Sequence, residues 1–392
     1  MRILILSWEY PPRIIGGISR VAYHLAKELG RMGNEVTVIT VKDNDSQSVE
    51  NEANVSVYRI DPCIVEPLNF IDSTLQMNYG IIGKAISLIN QGKTFDVIHL
   101  HDWMVAYAGN VLREIYPEIP FISTFHSTEY GRNTGIHDSI QNYIRNIEHL
   151  LVKLSLKVIV NSSYMKTEIN DQFGVPGENI CVIPNGIDVN QFSGMTCDFN
   201  ARRQFSSDNE KLVMFVGRLV TGKGIYVLLD AVPKVLCRKP NVKFVIAGKG
   251  PELESLQEKA KRMGVSDRVI FPGFISEEML LKLYKCSDVA VFPSLYEPFG
   301  IVALEGMVAR IPIVVSDTGG FSQLIEHRVN GMKFEVGNST RLAECILELL
   351  SNPSLVACIT DKAYDSLSHF YRWEDIAKKT LEVYKSVADK TV

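Results

Sequence analysis

Two stretches of this 392-residue chain share one design, and that repetition limits the fold more than any other feature. Near the start, Arg2–Ser7 is a short apolar run, broken by Trp8-Glu9-Tyr10-Pro11-Pro12 and followed by Gly16-Gly17. A helical pattern comes next, with Ser19 placed to cap it and Val21, Ala22, Leu25, Ala26, Leu29 and Met32 on one face. Gly33 ends it, and Glu35–Val41 is a second strand. The same succession returns at Lys211–Val216: a strand, then Gly217 to Gly224, then a helix with Leu228, Leu229, Val232, Val235 and Leu236. Each is the opening of a βαβ series, in which ligands bind at the loops beyond the carboxyl ends of the strands.

Short apolar runs and helical patterns alternate through the rest of the chain. Strands are expected near Val55–Ile60, Asp96–Leu100, Phe121–Phe125, Lys157–Asn161 and Ile180–Ile183. A second group is expected near Lys243–Ala247, Val269–Phe271, Val289–Phe292 and Ile313–Val315. Pro184-Asn185-Gly186 punctuates the series, and Val189–Asn209, poor in large apolar residues, reads as a linker. The length exceeds one ordinary core, so two α/β domains are expected, one over residues 1–188 and one beginning at 211. A final helical pattern carries Ile376, Leu381, Val383, Tyr384 and Val387, an apolar face that must be buried somewhere.

Composition removes several classes. A net charge of −4 argues against a nucleic-acid binder, which would carry a basic excess. The seven cysteines include no Cys-x-x-Cys pair and are expected to be reduced thiols. Met1–Leu6 is too short an apolar run for a secretory signal, and no run approaches the roughly 20 residues that span a bilayer. A cytoplasmic protein without an integral membrane segment is expected.

Chemistry concentrates in Ser294-Leu295-Tyr296-Glu297-Pro298-Phe299-Gly300-Ile301-Val302-Ala303-Leu304-Glu305, where two glutamates enclose seven residues. Pro298 suits the first turn of a helix. With a helix opening near Phe299, the N–H groups of Phe299, Gly300, Ile301 and Val302 would form an anion site. Glu297 would stand at its mouth and Glu305 about 9 Å further along the axis. That exceeds the ~5 Å carboxylate pair of a retaining glycosidase. It suits the two ends of one long ligand, a sugar at one tip, a ribose at the other and phosphates between.

Gly217-Arg218-Leu219-Val220-Thr221-Gly222-Lys223-Gly224 approaches a P-loop, but Gly224 stands where Ser or Thr would hold magnesium. An NTPase is therefore disfavoured. Arg218 and Lys223 remain two cations for a diphosphate, able to stabilise the charge that develops as a glycosidic bond to phosphate breaks. Thr318-Gly319-Gly320 follows the strand Ile313–Ser316 and either offers N–H groups to an anion or a hydroxyl, or makes a simple turn. No Gly-x-Gly-x-x-Gly follows a strand, so no dinucleotide cofactor is expected. Asp43-Asn44-Asp45 lies in a polar stretch and reads as turn chemistry. In His99-Leu100-His101-Asp102-Trp103 the histidines share one side of a strand and Asp102 opens the next loop; the spacing matches no zinc site. His126, after the strand Phe121–Phe125, is placed to meet a ligand.

Together these motifs resemble those of retaining glycosyltransferases of the two-Rossmann-domain GT-B fold. The branch is that of glycogen and starch synthases with their sucrose- and mannose-transferring relatives. The resemblance rests on Gly16-Gly17, His101-Asp102-Trp103, His126, Pro184-Asn185-Gly186-Ile187-Asp188, Gly217-Arg218 with Lys223-Gly224, Glu297 to Glu305, and Gly319-Gly320. It implies an α/β fold of two Rossmann-like domains facing each other across a deep cleft. The N-terminal, acceptor-side domain would be residues 1–188 plus a crossover helix at 372–392, followed by a linker at 189–210 and a nucleotide-sugar domain at 211–371.

The resemblance also implies roles. Arg218 and Lys223 would hold the diphosphate, Glu305 the ribose hydroxyls, and Glu297 the sugar, with Gly319-Gly320 and Asp102 nearby. The backbone carbonyl of His126 would stabilise an oxocarbenium-like state under front-face attack. No cofactor and no metal are implied: the donor is an ADP- or UDP-hexose, and the acceptor a glucan or other carbohydrate. Trp8–Pro12 and His101–Trp103 look closest to glycogen synthases. Where bacterial glycogen synthases carry a lysine two residues before the glycine pair, this chain has Ile14, with Arg13 beside it.

The expected activity is transfer of glucose from ADP- or UDP-glucose to the nonreducing end of an α-1,4-glucan. The alternatives are glucosyl or mannosyl transfer to a lipid, a small sugar or a sugar phosphate, then a nucleotide-sugar 2-epimerase or a non-enzymatic sensor.

Overall fold

The structure, a computed structural model, describes residues 1–43 and 46–388, with no side-chain description for residues 368 and 369. Asn44 and Asp45 of the Asp43-Asn44-Asp45 stretch lie outside the described residues. The chain forms two units, Met1–Gly186 with Trp373–Val392, and Ile187–Arg372.

The first unit is built on eight strands. They are β1 (Arg2–Leu6), β2 (Glu35–Val41), β3 (Val49–Glu52), β4 (Val55–Ile60), β5 (Val97–His101), β6 (Phe121–Phe125), β7 (Lys157–Val160) and β8 (Ile180–Val182). Their order is β3-β4-β2-β1-β5-β6-β7-β8, parallel throughout except that β3 runs antiparallel to β4. Strands β1, β5 and β6 are buried along their length, after the exposed Arg2, rather than at alternate residues, because both faces of a parallel sheet are covered. The chain leaves β1 towards β2 and β4, then returns to the other side of β1 at β5. The sheet therefore reverses its order between β1 and β5, and ligands collect beyond the carboxyl ends of strands at such a point.

The second unit repeats the plan with β9 (Lys211–Val216), β10 (Val242–Ala247), β11 (Val269–Gly273), β12 (Val289–Phe292), β13 (Ile313–Ser316) and β14 (Met332–Phe334). The order is β11-β10-β9-β12-β13-β14, all parallel, so this sheet reverses between β9 and β12. Its core takes Leu228, Leu229, Val232 and Val235 from the helix Ile225–Arg238.

Three expectations change. The stretch 189–210 is not a free linker: Phe192 and Phe205 are buried in the second unit's core, and Arg202 bonds Asp288 at 2.9 Å. A few well-spaced anchors were enough to dock a segment poor in large apolar residues. Cys197 and Cys286, 89 residues apart, are joined in a disulfide, with Cα atoms 4.7 Å apart. Sequence spacing carries no signal for such proximity. Ser19 does not cap the first helix, Gly17–Arg31; Gly16 holds that position, and the Ser19 hydroxyl donates back to Arg13 O at 3.1 Å.

The terminal helix Trp373–Ala388 belongs to the first unit, where Ile376, Tyr384 and Val387 are buried. The Trp373 ring stacks on His24 with centroids 5.0 Å apart. A Cβ on Gly186 would fall 2.4 Å from that indole, so only glycine fits beneath it. Among the described residues, no single helix is long and apolar enough to cross a membrane.

Candidate active site

In the second unit, the loops leaving β9 and β12 meet at the reversal point of the sheet. Gly222 O accepts from the N–H groups of Leu295 (2.8 Å) and Tyr296 (3.2 Å), which ties the two loops together. Gly224 permits the approach: it has φ 62°, and a Cβ there would fall 2.0 Å from Pro293 O. The contact brings the Lys223 ammonium to 2.7 Å from Glu297 Oε2, and the Ser294 hydroxyl donates to the same oxygen at 3.0 Å. Arg218 stands exposed just beyond β9. The two loops thus carry two cationic residues and one carboxylate beyond one edge of the sheet.

The helix after Glu297 opens later than the sequence reading placed it. It runs Ile301–Ala309 with Gly300 as N-cap at φ 103°, so Pro298 and Phe299 precede it. The left-handed backbone at Gly300 cannot belong to a right-handed helix, which is why Pro298 does not start one. The first turn holds the N–H groups of Ile301 and Val302, has no side-chain cap and contains no acid. Phe299 is buried and contributes no helical N–H. Glu305 is buried just over one turn in, where the Tyr284 hydroxyl donates to Oε2 at 2.9 Å.

Thr318-Gly319-Gly320, beyond β13, acts as a seat for the glutamate loop. The Gly320 N–H donates to Glu297 O at 2.8 Å, so it is engaged with protein rather than offered to a ligand. Gly319 has φ 50°, and a Cβ there would lie 2.0 Å from Glu297 O.

In the first unit, the candidates gather beyond β1, β5 and β6. Asp102 takes φ 60° at the end of β5, buried, and its Oδ1 accepts the His126 backbone N–H at 2.8 Å. Burial pushes its carboxyl up to about 7, against that hydrogen bond. His101 Nδ1 lies 3.1 Å from His126 Nε2, while His101 Nε2 is buried without a partner. Burial pushes His126 down to about 4 and His101 well below its usual value, so both rings are neutral at pH 7. His99, on the same strand, lies 2.7 Å from the Tyr384 hydroxyl through Nδ1 and 2.7 Å from Thr124 Oγ1 through Nε2. Among the described residues, no group of three or more His, Cys, Asp and Glu side chains is arranged to hold a metal ion.

Two residues of this region escaped the sequence reading. Tyr384 looked like one more apolar position of a helix; its phenol supports His99 of β5. Glu9 looked like part of a strand-breaking stretch; its carboxylate is buried and binds the backbone leading into Gly16. An acid between β1 and a glycine pair was the available signal. Arg13, beside Ile14, places its guanidinium 5.8 Å over the Trp8 ring.

Comparison with known proteins agrees with this layout. Residues 15–191 match the model of Glycosyltransferase Family 4, and residues 198–366 that of Glycosyl transferases group 1. The chain is 39% identical over 394 residues to an uncharacterized glycosyltransferase of Methanocaldococcus jannaschii, covering 98% of each. It is 32% identical over 399 residues to a glycogen synthase of Mycobacterium tuberculosis, covering 98% of this chain and 94% of the relative. A sucrose-phosphate synthase from Thermosynechococcus elongatus has the same fold, with TM-score 0.82 at 21% identity over 99% of both chains.

Proposed function

We propose that this chain, which belongs to the GT-B glycosyltransferases in their glycogen synthase-like branch, transfers glucose from ADP- or UDP-glucose to the nonreducing end of an α-1,4-glucan. The observation that carries the proposal is the Lys223–Glu297 pair beyond β9 and β12, in a chain 32% identical to a glycogen synthase along 98% of its length.

The diphosphate of the donor binds Arg218 and Lys223. As the C1–oxygen bond breaks, negative charge grows on the leaving phosphate, and these two cations stabilise it in place. The first turn at Ile301 and Val302 adds N–H groups for the same charge. Glu305 binds the ribose and Glu297 the hexose. To the backbone carbonyl of His126, whose own N–H is fixed by Asp102, we assign the stabilisation of the positive charge that develops on the sugar. The acceptor hydroxyl attacks from the face the diphosphate leaves, giving up its proton to the departing phosphate oxygen, and the configuration at C1 is retained. No step calls for a metal ion.

Incubation with labelled ADP-glucose, UDP-glucose and GDP-mannose against glycogen, maltose, sugar phosphates and lipid extract tests this directly. Label in polysaccharide supports the proposal. Label confined to a small or lipid acceptor moves the assignment to another hexosyltransferase, and conversion without an acceptor moves it to an epimerase.

A further inference from the structure

Glu9 lies in the loop between β1 and Gly16, and only 1% of it is exposed. One carboxylate oxygen, Oε2, accepts two backbone N–H groups, from Ile15 at 2.7 Å and Gly16 at 2.8 Å. The segment it grips is open to solvent: Ile14 is 53% and Ile15 42% exposed. A buried acid that holds an exposed backbone is unusual, since burying a carboxylate is costly unless its bonds compensate.

Other bonds already anchor the rest of the loop. Ser7 donates to Glu9 O at 2.7 Å, Arg59 to Pro11 O at 2.7 Å and Ser19 to Arg13 O at 3.1 Å. What remains for the carboxylate is the last step before the helix, Ile15-Gly16. That helix has Gly16 as N-cap and no side chain on its opening N–H groups. Strands β1 and β5 are neighbours, so Glu9 and Asp102 lie in loops beyond the carboxyl ends of adjacent strands, and both are buried.

We propose that Glu9 is a positioning residue: it fixes the Ile15-Gly16 backbone so that the helix opening at Gly17 meets the nucleotide sugar in one geometry, without touching the sugar itself. This rests on the donor-binding role given to Gly16 and Gly17. Because a single oxygen takes both N–H groups, an amide oxygen can replace it, and the negative charge is dispensable.

The test compares the full chain with its Glu9→Gln and Glu9→Ala forms. Three quantities are measured: amide exchange at Ile15 and Gly16, affinity for UDP and ADP, and kcat and KM for the donor. In the native chain both amides exchange slowly despite their exposed setting. Glu9→Gln keeps that protection and stays within about threefold of native kcat/KM. Glu9→Ala loses the protection, keeps its nucleotide affinity and falls about 100-fold in kcat, the size of effect a small misplacement produces.

Open-chain exchange at these amides in the native protein would overturn the proposal. So would native turnover in Glu9→Ala, or a Glu9→Gln form as slow as Glu9→Ala, which would put the charge itself on the substrate. Absence of sugar transfer by the native chain would instead sink the proposed function, while the exchange rates of the three forms would still decide whether Glu9 holds the loop.

Discussion

The Lys223 ammonium and Glu297 Oε2 are 2.7 Å apart although 74 residues separate them in sequence. Adjacency of β9 and β12 produces this, because the sheet's order reverses there and two distant loops emerge side by side. The pair is partly buried, with the lysine side chain 28% and the glutamate 9% exposed. Lys223→Met and Glu297→Gln should each lower kcat about 100- to 1000-fold, the usual cost of removing a group aimed at developing charge. Steady-state transfer with labelled donor measures this, and near-native rates in either variant would mean the chemistry lies elsewhere.

Gly319→Ala tests the seat beneath that pair. The added methyl would meet Glu297 O at 2.0 Å, on a backbone with φ 50°. The loop must move, so turnover should fall at least tenfold, with a stability loss of about 1–3 kcal/mol. Denaturant melts and kinetics on the same preparation check both effects.

Asp102 gives a pH signature. Its folded carboxyl, pushed by burial to about 7, holds its proton more tightly than an ordinary aspartate at 3.8. Its contribution to stability is therefore full below about pH 4 and is lost as pH rises towards 7. Asp102→Asn keeps an oxygen for the His126 N–H but cannot ionise. Relative to that variant, native stability should decline by about 1.4 kcal/mol per pH unit between pH 4 and 7, then level off. Urea unfolding of both forms across this range gives the difference, and a pH-independent gap would contradict the assignment.

Tyr384→Phe tests the tie between the terminal helix and β5. Removing the hydroxyl leaves His99 Nδ1 buried and without that partner, a loss of about 1–3 kcal/mol. The shift in urea midpoint measures it, and an unchanged midpoint would show that the tie adds nothing.

Much of this was legible in the sequence because it depends on local pattern. Short apolar runs marked β1, β9 and β12, and the loops after them were read as the ligand edge. The Lys223 and Glu297 positions followed from motif and charge. What the sequence hid depends on approach between distant segments. Thr318-Gly319-Gly320 reads in the sequence as either an anion site or a turn, and the bond from the Gly320 N–H to Glu297 O joins two loops that are distant in the chain. Residues 189–210 looked like a linker because docking through Phe192 and Phe205 leaves little trace in composition. The helix start at Ile301 depends on the left-handed turn at Gly300, which Pro298, two residues earlier, obscured.

Calorimetric titration of UDP and ADP onto the native chain, Arg218→Ala and Lys223→Ala tests the central claim most directly. The account predicts that the native chain binds at least one of the two nucleotides, and that each substitution weakens this binding at least tenfold, about 1.4 kcal/mol or more. Equal affinity in all three forms, or no binding by the native chain, would contradict it.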